Sequence, residues 1–308
     1  MAVSPSPWLH RFAVVLACLT LFLVIAGALV TSKDAGLSVP DWPLSYGKLM
    51  PPMEGNIFYE HGHRMVATLV GFLTVIMAIW LWRAQTPRWL RMVGVSAIGI
   101  VIAQGVLGGI TVLLMLPPAV SSAHACLAQL FFSTTVAMAL FTSKTWQGDP
   151  VMVNDAGPLS LRMVSIALPV FVLFQLALGA LARHKAIGSI YHIANSSLVT
   201  GAILYVTLRI LLHYTNHNAL RKVAILMLSV TFVQVFLGIA AYMSRLATAD
   251  AVQPMPVMVT FTVLHVAAGA LTMACSVILA IQVCRHVRRS SAKEAVAGNY
   301  VMASLGRS

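Results

Sequence analysis

Four side chains that could do chemistry crowd together in residues 59–64, with the sequence YEHGHR, directly before a long apolar run. The carboxylate of Glu60 can hold or release a proton, and the imidazoles of His61 and His63 can bind a metal ion. The guanidinium of Arg64 can pair with an anion. Such groups are unfavourable to bury at the edge of a membrane, so they are seldom kept there for packing alone. The segment is therefore predicted to belong to a functional site.

The composition predicts an all-α polytopic membrane protein. Of the 308 residues, 59% are hydrophobic and only 9% are charged, against roughly a quarter charged in a soluble domain. Runs of about 20 apolar residues are long enough to cross a bilayer, and we predict eight of them, at residues 12–32, 63–83, 92–115, 122–142, 162–182, 190–212, 223–243 and 258–283. The net charge of +12 does not indicate nucleic-acid binding, because polytopic proteins collect Lys and Arg in cytoplasmic loops.

The basic residues set the predicted orientation. With a cytoplasmic N-terminus, only six of the 20 Lys and Arg fall on the outer side, namely Lys33, Lys48, Arg64, Arg183, Lys185 and Arg245. The other fourteen fall on the inner side, so both termini are predicted to be cytoplasmic. The longest connection, residues 32–62, then lies outside, and a loop of that length in a compact protein usually has a function.

An internal repeat divides the chain into two halves. Seven residues near the end of the first apolar run recur at a constant offset of 152: Leu21, Phe22, Gly27, Ala28, Leu29, Lys33 and Gly36 match Leu173, Phe174, Gly179, Ala180, Leu181, Lys185 and Gly188. A Gln-x-x-Leu-Gly motif starts at Gln104 and again at Gln234. Chance recurrence of Leu, Gly and Ala is the alternative. We predict two parallel four-helix repeats, residues 1–150 and 151–308, about an axis along the membrane normal.

Four of the ten histidines share a pattern. His63, His124, His192 and His265 lie at or near the outer starts of the even-numbered apolar runs, one pair in each half. A single imidazole on a membrane helix often only bonds a neighbouring helix, but four at matching depth favour a shared ligand. Histidines that face one another across helices commonly hold a haem, whereas zinc or di-iron sites would want more carboxylates or thiolates nearby. One haem per half is predicted, in the outer half of the bilayer.

The other histidines carry weaker predictions. Those at the cytoplasmic ends and loops are expected to be solvated surface residues: His10, His213, His217 and His286. His184 lies between Arg183 and Lys185 and is interpreted as a surface residue or a contact to an anionic group. His61 points away from His63 in a helix and is interpreted as a neighbour at the haem edge.

Glu60 distinguishes the two halves. It precedes His63 by three residues, so both side chains share a face if the helix extends that far back. The equivalent place before His192 holds Ser189. A carboxylate at the edge of an apolar pocket can act as a general acid or base, with an ion pair to Arg64 as the alternative. The N-terminal half is therefore predicted to react, and the C-terminal half to carry electrons or support the structure.

Residues 36–44, with the sequence GLSVPDWPL, and the E-x-x-H-R motif that ends at Arg64 resemble the haem A synthases. The resemblance covers essentially all eight apolar runs. It implies oxidation of the C8 methyl of haem O to a formyl group, which makes haem A for terminal oxidases.

The resemblance also implies roles for particular residues. In the family, the N-terminal half takes the substrate haem and the C-terminal half holds a haem b. Carried onto this sequence, His63 and His124 would bracket haem O, and His192 and His265 would ligate haem b. Glu60 would be the acid–base group near the oxidised methyl.

The outer loop departs from some members of that family, which carry a cysteine pair flanking the P-D-W-P-L segment. This chain has Val39 and Ser45 at those places, so no loop disulfide can form. The loop is interpreted as a lid with Trp42 and Pro43 as apolar contacts. Arg64 is predicted to bind a haem propionate, with capping of the outer loop as its alternative.

A di-haem b-type cytochrome that passes electrons between quinol and a partner is the alternative function. It needs neither Glu60 nor a long outer loop. Expected partners are haem O and membrane lipid, with haem O synthase and an electron-transfer partner or quinone as further candidates. A bacterial inner membrane is expected, because the residues before the first apolar run are too few for a typical transit peptide. The electron acceptor, the oxygen source and the oligomeric state stay open.

Overall fold

The computed structural model describes residues 6–155 and 159–288. The described residues form nine α-helices and two short strands: α1 Pro7–Ser32, α2 Gly55–Arg83, α3 Arg88–Leu113, α4 Pro118–Phe141, α5 Lys144–Gln147, β1 Val153–Asn154, α6 Leu161–Arg183, α7 Ser189–His213, α8 Asn218–Ala247, α9 Pro256–His286 and β2 Val287–Arg288. The predicted cytoplasmic termini, residues 1–5 and 289–308, lie outside this part of the chain.

All the helices except the four-residue α5 are long and apolar enough to cross a membrane. The eight predicted spans and the all-α polytopic class are thereby confirmed. The largest difference is at α2, which begins at Gly55 rather than at residue 63. The loop before it therefore covers residues 33–54 and not 32–62. Glu60 and Arg64 form an ion pair one turn apart, a spacing that supports a helix through polar residues.

Each half of the chain closes into a ring of four helices. In the first half α1 contacts α2, α2 contacts α3, α3 contacts α4, and α4 returns to α1. In the second half α6, α7, α8 and α9 follow the same order. The halves meet where α1 and α4 pack against α9, and α4 also packs against α6. The shared order of contacts supports the predicted repeat.

Each ring has its own apolar core, and the cores keep the helices in register. Fully buried side chains of the first core include Leu9, Leu16, Met77, Leu81 and Phe131. Those of the second include Leu168, Ile203, Ile210, Met227 and Leu279. These side chains recur at helical spacing along the inward face of each helix, which is the pattern that helix packing requires.

The prediction that His217 and His286 are solvated is wrong, since both are buried, with 7% of their surface exposed. Their rings lie 4.7 Å apart, and each bonds the carbonyl oxygen of Val151, at 2.9 Å from His217 and 3.0 Å from His286. The connection between the halves folds back over these helix ends, where β1 pairs in parallel with β2. No periodic pattern in the sequence predicts that the connection folds back in this way.

Candidate functional site

The histidine end of the bundle, where α2, α4, α7 and α9 begin, holds the four predicted ligands. Each imidazole lies against a glycine on the preceding helix, in the pairs Gly27 with His63, Gly108 with His124, Gly179 with His192, and Gly238 with His265. A Cβ placed on any of these glycines would lie only 2.9–3.2 Å from the ring Cε1. Contacts that short displace one of the two groups, so glycine is what lets each ring reach the backbone.

A glutamine one turn before the glycine orients both ligands of the C-terminal half. The Nδ1 of His192 lies 3.1 Å from the carbonyl oxygen of Gln175, and the Nδ1 of His265 lies 3.2 Å from that of Gln234. Because a carbonyl oxygen only accepts, Nδ1 carries the hydrogen and Nε2 carries the lone pair, which in His265 lies 3.5 Å from the side-chain amide nitrogen of Gln234. That tautomer is the one that binds a metal through Nε2.

The same two rings face one another across the C-terminal bundle. The ring centroids of His192 and His265 are 6.1 Å apart. Two imidazoles on opposite sides of one metal atom have centroids about 6 Å apart, because each metal–nitrogen bond is about 2 Å long. The C-terminal pair is therefore spaced so that both rings could hold one haem iron.

The N-terminal pair has longer contacts to the equivalent backbone positions. The Nδ1 atoms of His63 and His124 are buried and form no hydrogen bond of good geometry with the described residues, but the backbone of Leu23 interacts with His63 and that of Gln104 with His124. Gln104 donates to the backbone oxygen of His124 at 3.0 Å, but on α1 the residue one turn before the glycine is Leu23.

Glu60 lies beneath the outer loop with 3% of its surface exposed. One carboxylate oxygen accepts a hydrogen bond from the backbone N–H of Val39 at 2.8 Å. The other is 2.6 Å from the guanidinium of Arg64. Because burial removes water from both groups, these charge-assisted bonds hold the loop firmly against α2.

Arg64 contacts the loop itself. Its guanidinium donates to three backbone carbonyls, those of Asp41 at 2.7 Å, Leu44 at 2.9 Å and Val39 at 3.3 Å. Of the two sequence-based interpretations of Arg64, loop capping is the one that the structure shows. Its contact with a haem propionate stays a prediction.

His61 also bonds the loop rather than lying on the His63 face of α2. Its Nδ1 is 2.8 Å from the hydroxyl oxygen of Ser45, and the two residues are 6% and 0% exposed. Val39 and Ser45 are the positions where the resembling family can carry a cysteine pair. In this chain both are fixed to α2 by hydrogen bonds, one to Glu60 and one to His61.

Trp42 lies over the backbone of α3. A Cβ on Gly109 would be within 2.6–2.9 Å of three indole carbons, so the ring rests directly on this buried glycine. The preceding residue is the Gly108 that contacts His124. Trp42 therefore contacts α3 one residue after Gly108, the glycine that lies against the predicted ligand His124. Sequence reasoning identified Trp42 but missed Gly109.

Asp41 closes the tip of the loop. Its carboxylate accepts from the backbone N–H groups of Gly47 at 2.8 Å and Tyr46 at 2.7 Å. The Gly47 hydrogen bond is the largest of the effects that hold the pKa of Asp41 below its ordinary value. Asp41 therefore stays ionised at neutral pH and fixes the turn in which Tyr46 and Gly47 adopt positive φ.

Arg183 joins the two halves at the histidine end. It donates to the carbonyl oxygen of Ala28 at 2.8 Å and to the hydroxyl of Ser32 at 2.7 Å. Ala28 follows the Gly27 that contacts His63. The adjacent His184 has a lowered pKa, first because burial disfavours its charged form and then because Arg183 is nearby. Both effects keep His184 neutral at pH 7.

The glycine contacts give a direct prediction. Gly179→Ala or Gly238→Ala should displace the neighbouring histidine ring and weaken haem binding by about ten- to a hundredfold, as expected when a ligand loses its orientation. The measurement is a haem titration followed by absorbance. The control is Gly201→Ala on α7, where an added Cβ meets nothing within 4 Å. Equal haem affinity in all three variants and the parent would contradict the account.

Residues 10–197 match the family model described as Cytochrome oxidase assembly protein, COX15-CtaA. The match covers more than half of the chain, and the chain belongs to this family.

The relatives carry a more specific name. A protein named Heme A synthase from Symbiobacterium thermophilum is 32% identical over 170 residues, which cover 53% of this chain and 55% of that protein. A second protein named Heme A synthase, from Shouchella clausii, is 34% identical over 134 residues, which cover 42% of this chain and 44% of that protein. A third, from Lysinibacillus sphaericus, is 26% identical over 183 residues and covers 58% of each chain. The chain thus matches about half the length of these curated relatives.

Proposed function

We propose that this protein is a haem A synthase, which oxidises the C8 methyl of haem O to a formyl group. One observation carries the proposal: the chain holds two pairs of glycine-supported histidines, and only the first pair lies beside a buried carboxylate and a folded outer loop. Two equivalent electron-carrying haems would not require that difference. The relatives named Heme A synthase support the same conclusion.

The two halves have different tasks in this proposal. The N-terminal half, residues 1–150, takes haem O between His63 and His124. The C-terminal half, residues 151–308, holds haem b between His192 and His265. The fixed Nδ1 bonds and the 6.1 Å ring separation of the second pair support a permanent cofactor there. The buried carboxylate of Glu60 beside the first pair supports the substrate site there.

Glu60 is the proposed acid–base residue. Oxidation of a methyl group to a formyl group inserts an oxygen atom and releases protons, which a nearby carboxylate can accept. Bound haem supplies the redox chemistry, and the protein supplies position and proton transfer. Both oxygens of Glu60 are bonded, to Val39 and to Arg64, and each keeps a second lone pair that can take a proton. The two contacts hold the carboxylate in one orientation.

We also propose a location for the sites, in the outer half of a bacterial inner membrane. Eight helices long and apolar enough to cross a membrane and the distribution of basic residues support it. Haem O synthase would supply the substrate, and an electron-transfer partner or quinone would accept the electrons. The product would serve terminal oxidases.

Cells that make haem O but no haem A provide the test. With the full chain expressed, haem extracted from the membranes should contain haem A on chromatography. The control is the same strain carrying His63→Ala with His124→Ala. The proposal would be refuted if the membranes contain the folded protein, haem B and haem O but no haem A. That result would favour a di-haem cytochrome.

Loop docking gives a further prediction. Arg64→Ala should leave Glu60 buried without its partner charge, a loss of about 3 kcal/mol or more, and release the loop at residues 33–54. Limited proteolysis of the purified protein should then cleave this loop faster than in the parent. Arg245→Ala at the end of α8, also at the histidine end, is the control. Unchanged cleavage in the Arg64 variant would show that Arg64 does not hold the loop.

A further inference from the structure

A cleft lies at the end of the bundle opposite the histidines, where α2 ends and α3 begins. It has a volume of about 270 Å³ and is lined by Trp82, Arg88, Arg91 and Met92. Two cationic and two apolar side chains thus share one concave surface. It is separated from the proposed haem sites by about the length of one membrane-spanning helix, since His63 and Trp82 lie near opposite ends of α2.

The two guanidinium groups of this cleft lack carboxylate partners. In the described ranges, 6–155 and 159–288, the ion pairs are Glu60 with Arg64 and Asp155 with Arg209. Neither Arg88 nor Arg91 has an acidic side chain within ion-pair distance in that part of the chain. The Nε of Arg91 is moreover buried without a hydrogen-bond partner there.

Other arginines at this end of the bundle are used by the protein itself. Arg162 donates to the carbonyl oxygen of Cys284 at 3.1 Å. Arg285 donates to the carbonyl oxygen of Gly148 and lies over the ring of Trp146. The guanidinium of Arg91 instead lies 5.0 Å from the centre of the Trp82 ring. A cation held by a ring face keeps its N–H donors available.

The apolar side of the cleft indicates what kind of anion it takes. Trp82 and Met92 are 51% and 48% exposed, although both lie in membrane-crossing helices. Apolar surface exposed near the end of a membrane-crossing helix is expected to face lipid. A ligand must supply a phosphate-like anion for the guanidinium groups and an apolar portion for Trp82 and Met92. Basic clefts between membrane helices take anionic lipid headgroups for this reason.

We propose that the Trp82–Met92 cleft binds the phosphate of an anionic phospholipid, with Arg88 and Arg91 on the phosphodiester. The lipid chains run along the exposed apolar surface of α2 and α3. A guanidinium group can form paired hydrogen bonds to two phosphate oxygens. The lipid would brace the junction of α2 and α3, the helices that carry His63 and Gly108.

The second half provides a matched control. Arg221 stands in α8 at the offset of 130 residues that relates Gln104 to Gln234, and so corresponds to Arg91. At the offset that relates His63 to His192, the counterpart of Trp82 is Leu211. The C-terminal half therefore has the arginine, Arg221, but has Leu211 in place of the tryptophan ring that contacts Arg91. Neutralising Arg221 and Lys222 removes as much charge from the same end as neutralising Arg88 and Arg91.

Native mass spectrometry of the full haem-loaded chain tests the proposal. The delipidated protein is offered phosphatidylglycerol and phosphatidylcholine in equal amounts. The parent should retain one phosphatidylglycerol in preference to phosphatidylcholine. Arg88→Gln with Arg91→Gln should weaken that preference about tenfold or more, whereas Arg221→Gln with Lys222→Gln should not. Trp82→Ala keeps both charges and should also weaken it, so it carries the test if the double variant fails to fold.

Three results would overturn the proposal. One is a parent that shows no preference for the anionic lipid, and another is an equal loss in the two double variants. The third is displacement of the bound lipid by millimolar inorganic phosphate, which would make the cleft a free-anion site. Persistence of the lipid adduct in phosphate supports the phospholipid as the occupant.

Discussion

Replacing Glu60 by glutamine should lower haem A formation by a factor of about 10² to 10⁴, the usual contribution of a general acid or base, while haem stays bound. The amide oxygen can still accept the hydrogen bond from the Val39 N–H, which is 2.8 Å from the carboxylate. The amide cannot hold the proton that the oxidation releases. The variant keeps the contact to Val39 but loses the ion pair to Arg64, so proteolysis of the loop is measured beside the rate. The measurement is the rate of haem A formation per bound haem.

Two further variants test whether the loss of activity comes from the acid–base role of Glu60. Glu54→Gln removes an exposed acid at the start of α2 that caps nothing with its side chain, and it should keep the parent rate. Glu60→Ala should lose the same activity and also expose the loop to proteolysis. A Glu60→Gln variant that makes haem A at the parent rate would leave Glu60 only its structural contacts.

Replacing His192 or His265 by alanine should remove the tightly held haem of the C-terminal half. Each ring supplies one Nε2 lone pair, freed by the hydrogen bond from Nδ1 to Gln175 or Gln234. Losing a ligand outright should weaken binding by more than the roughly hundredfold that follows when only a ligand's orientation is lost. Absorbance of the reduced protein measures the effect.

His184→Ala is the matched control for this pair. His184 caps the end of α6 at the histidine end, next to the Arg183 that bridges the halves. Its removal should leave the absorbance of the bound haem unchanged. Full haem content in both the His192 and the His265 variants would show that these rings are not ligands.

The eight long helices could be predicted because apolar runs of spanning length are unambiguous in sequence. The pairing of the four histidines as haem ligands stays a prediction. The early start of α2 could not be predicted, since residues 55–62 are too polar to extend the apolar run. The glycine contacts left a readable signal, because Gln104, Gln175 and Gln234 each precede such a glycine by four residues. That signal becomes meaningful only when the helices are placed side by side.

Contacts between a loop and the helix beneath it could not be predicted from the sequence. Trp42 rests on Gly109, and Ser45 bonds His61, yet no periodicity links a loop to the helix beneath it. The burial of His217 and His286 depends in the same way on the return of the connection near Val151. Such contacts follow from the closure of the chain in three dimensions rather than from any local pattern.

The central claim is that the two halves hold different haems for different purposes. The most direct measurement is chromatographic and mass identification of the haems extracted from two double variants, each made in cells that supply haem O. His63→Ala with His124→Ala should retain haem B and make no haem A. His192→Ala with His265→Ala should lack haem B and still take up haem O. Loss of the same haem from both variants, or haem A in the first, would contradict the account.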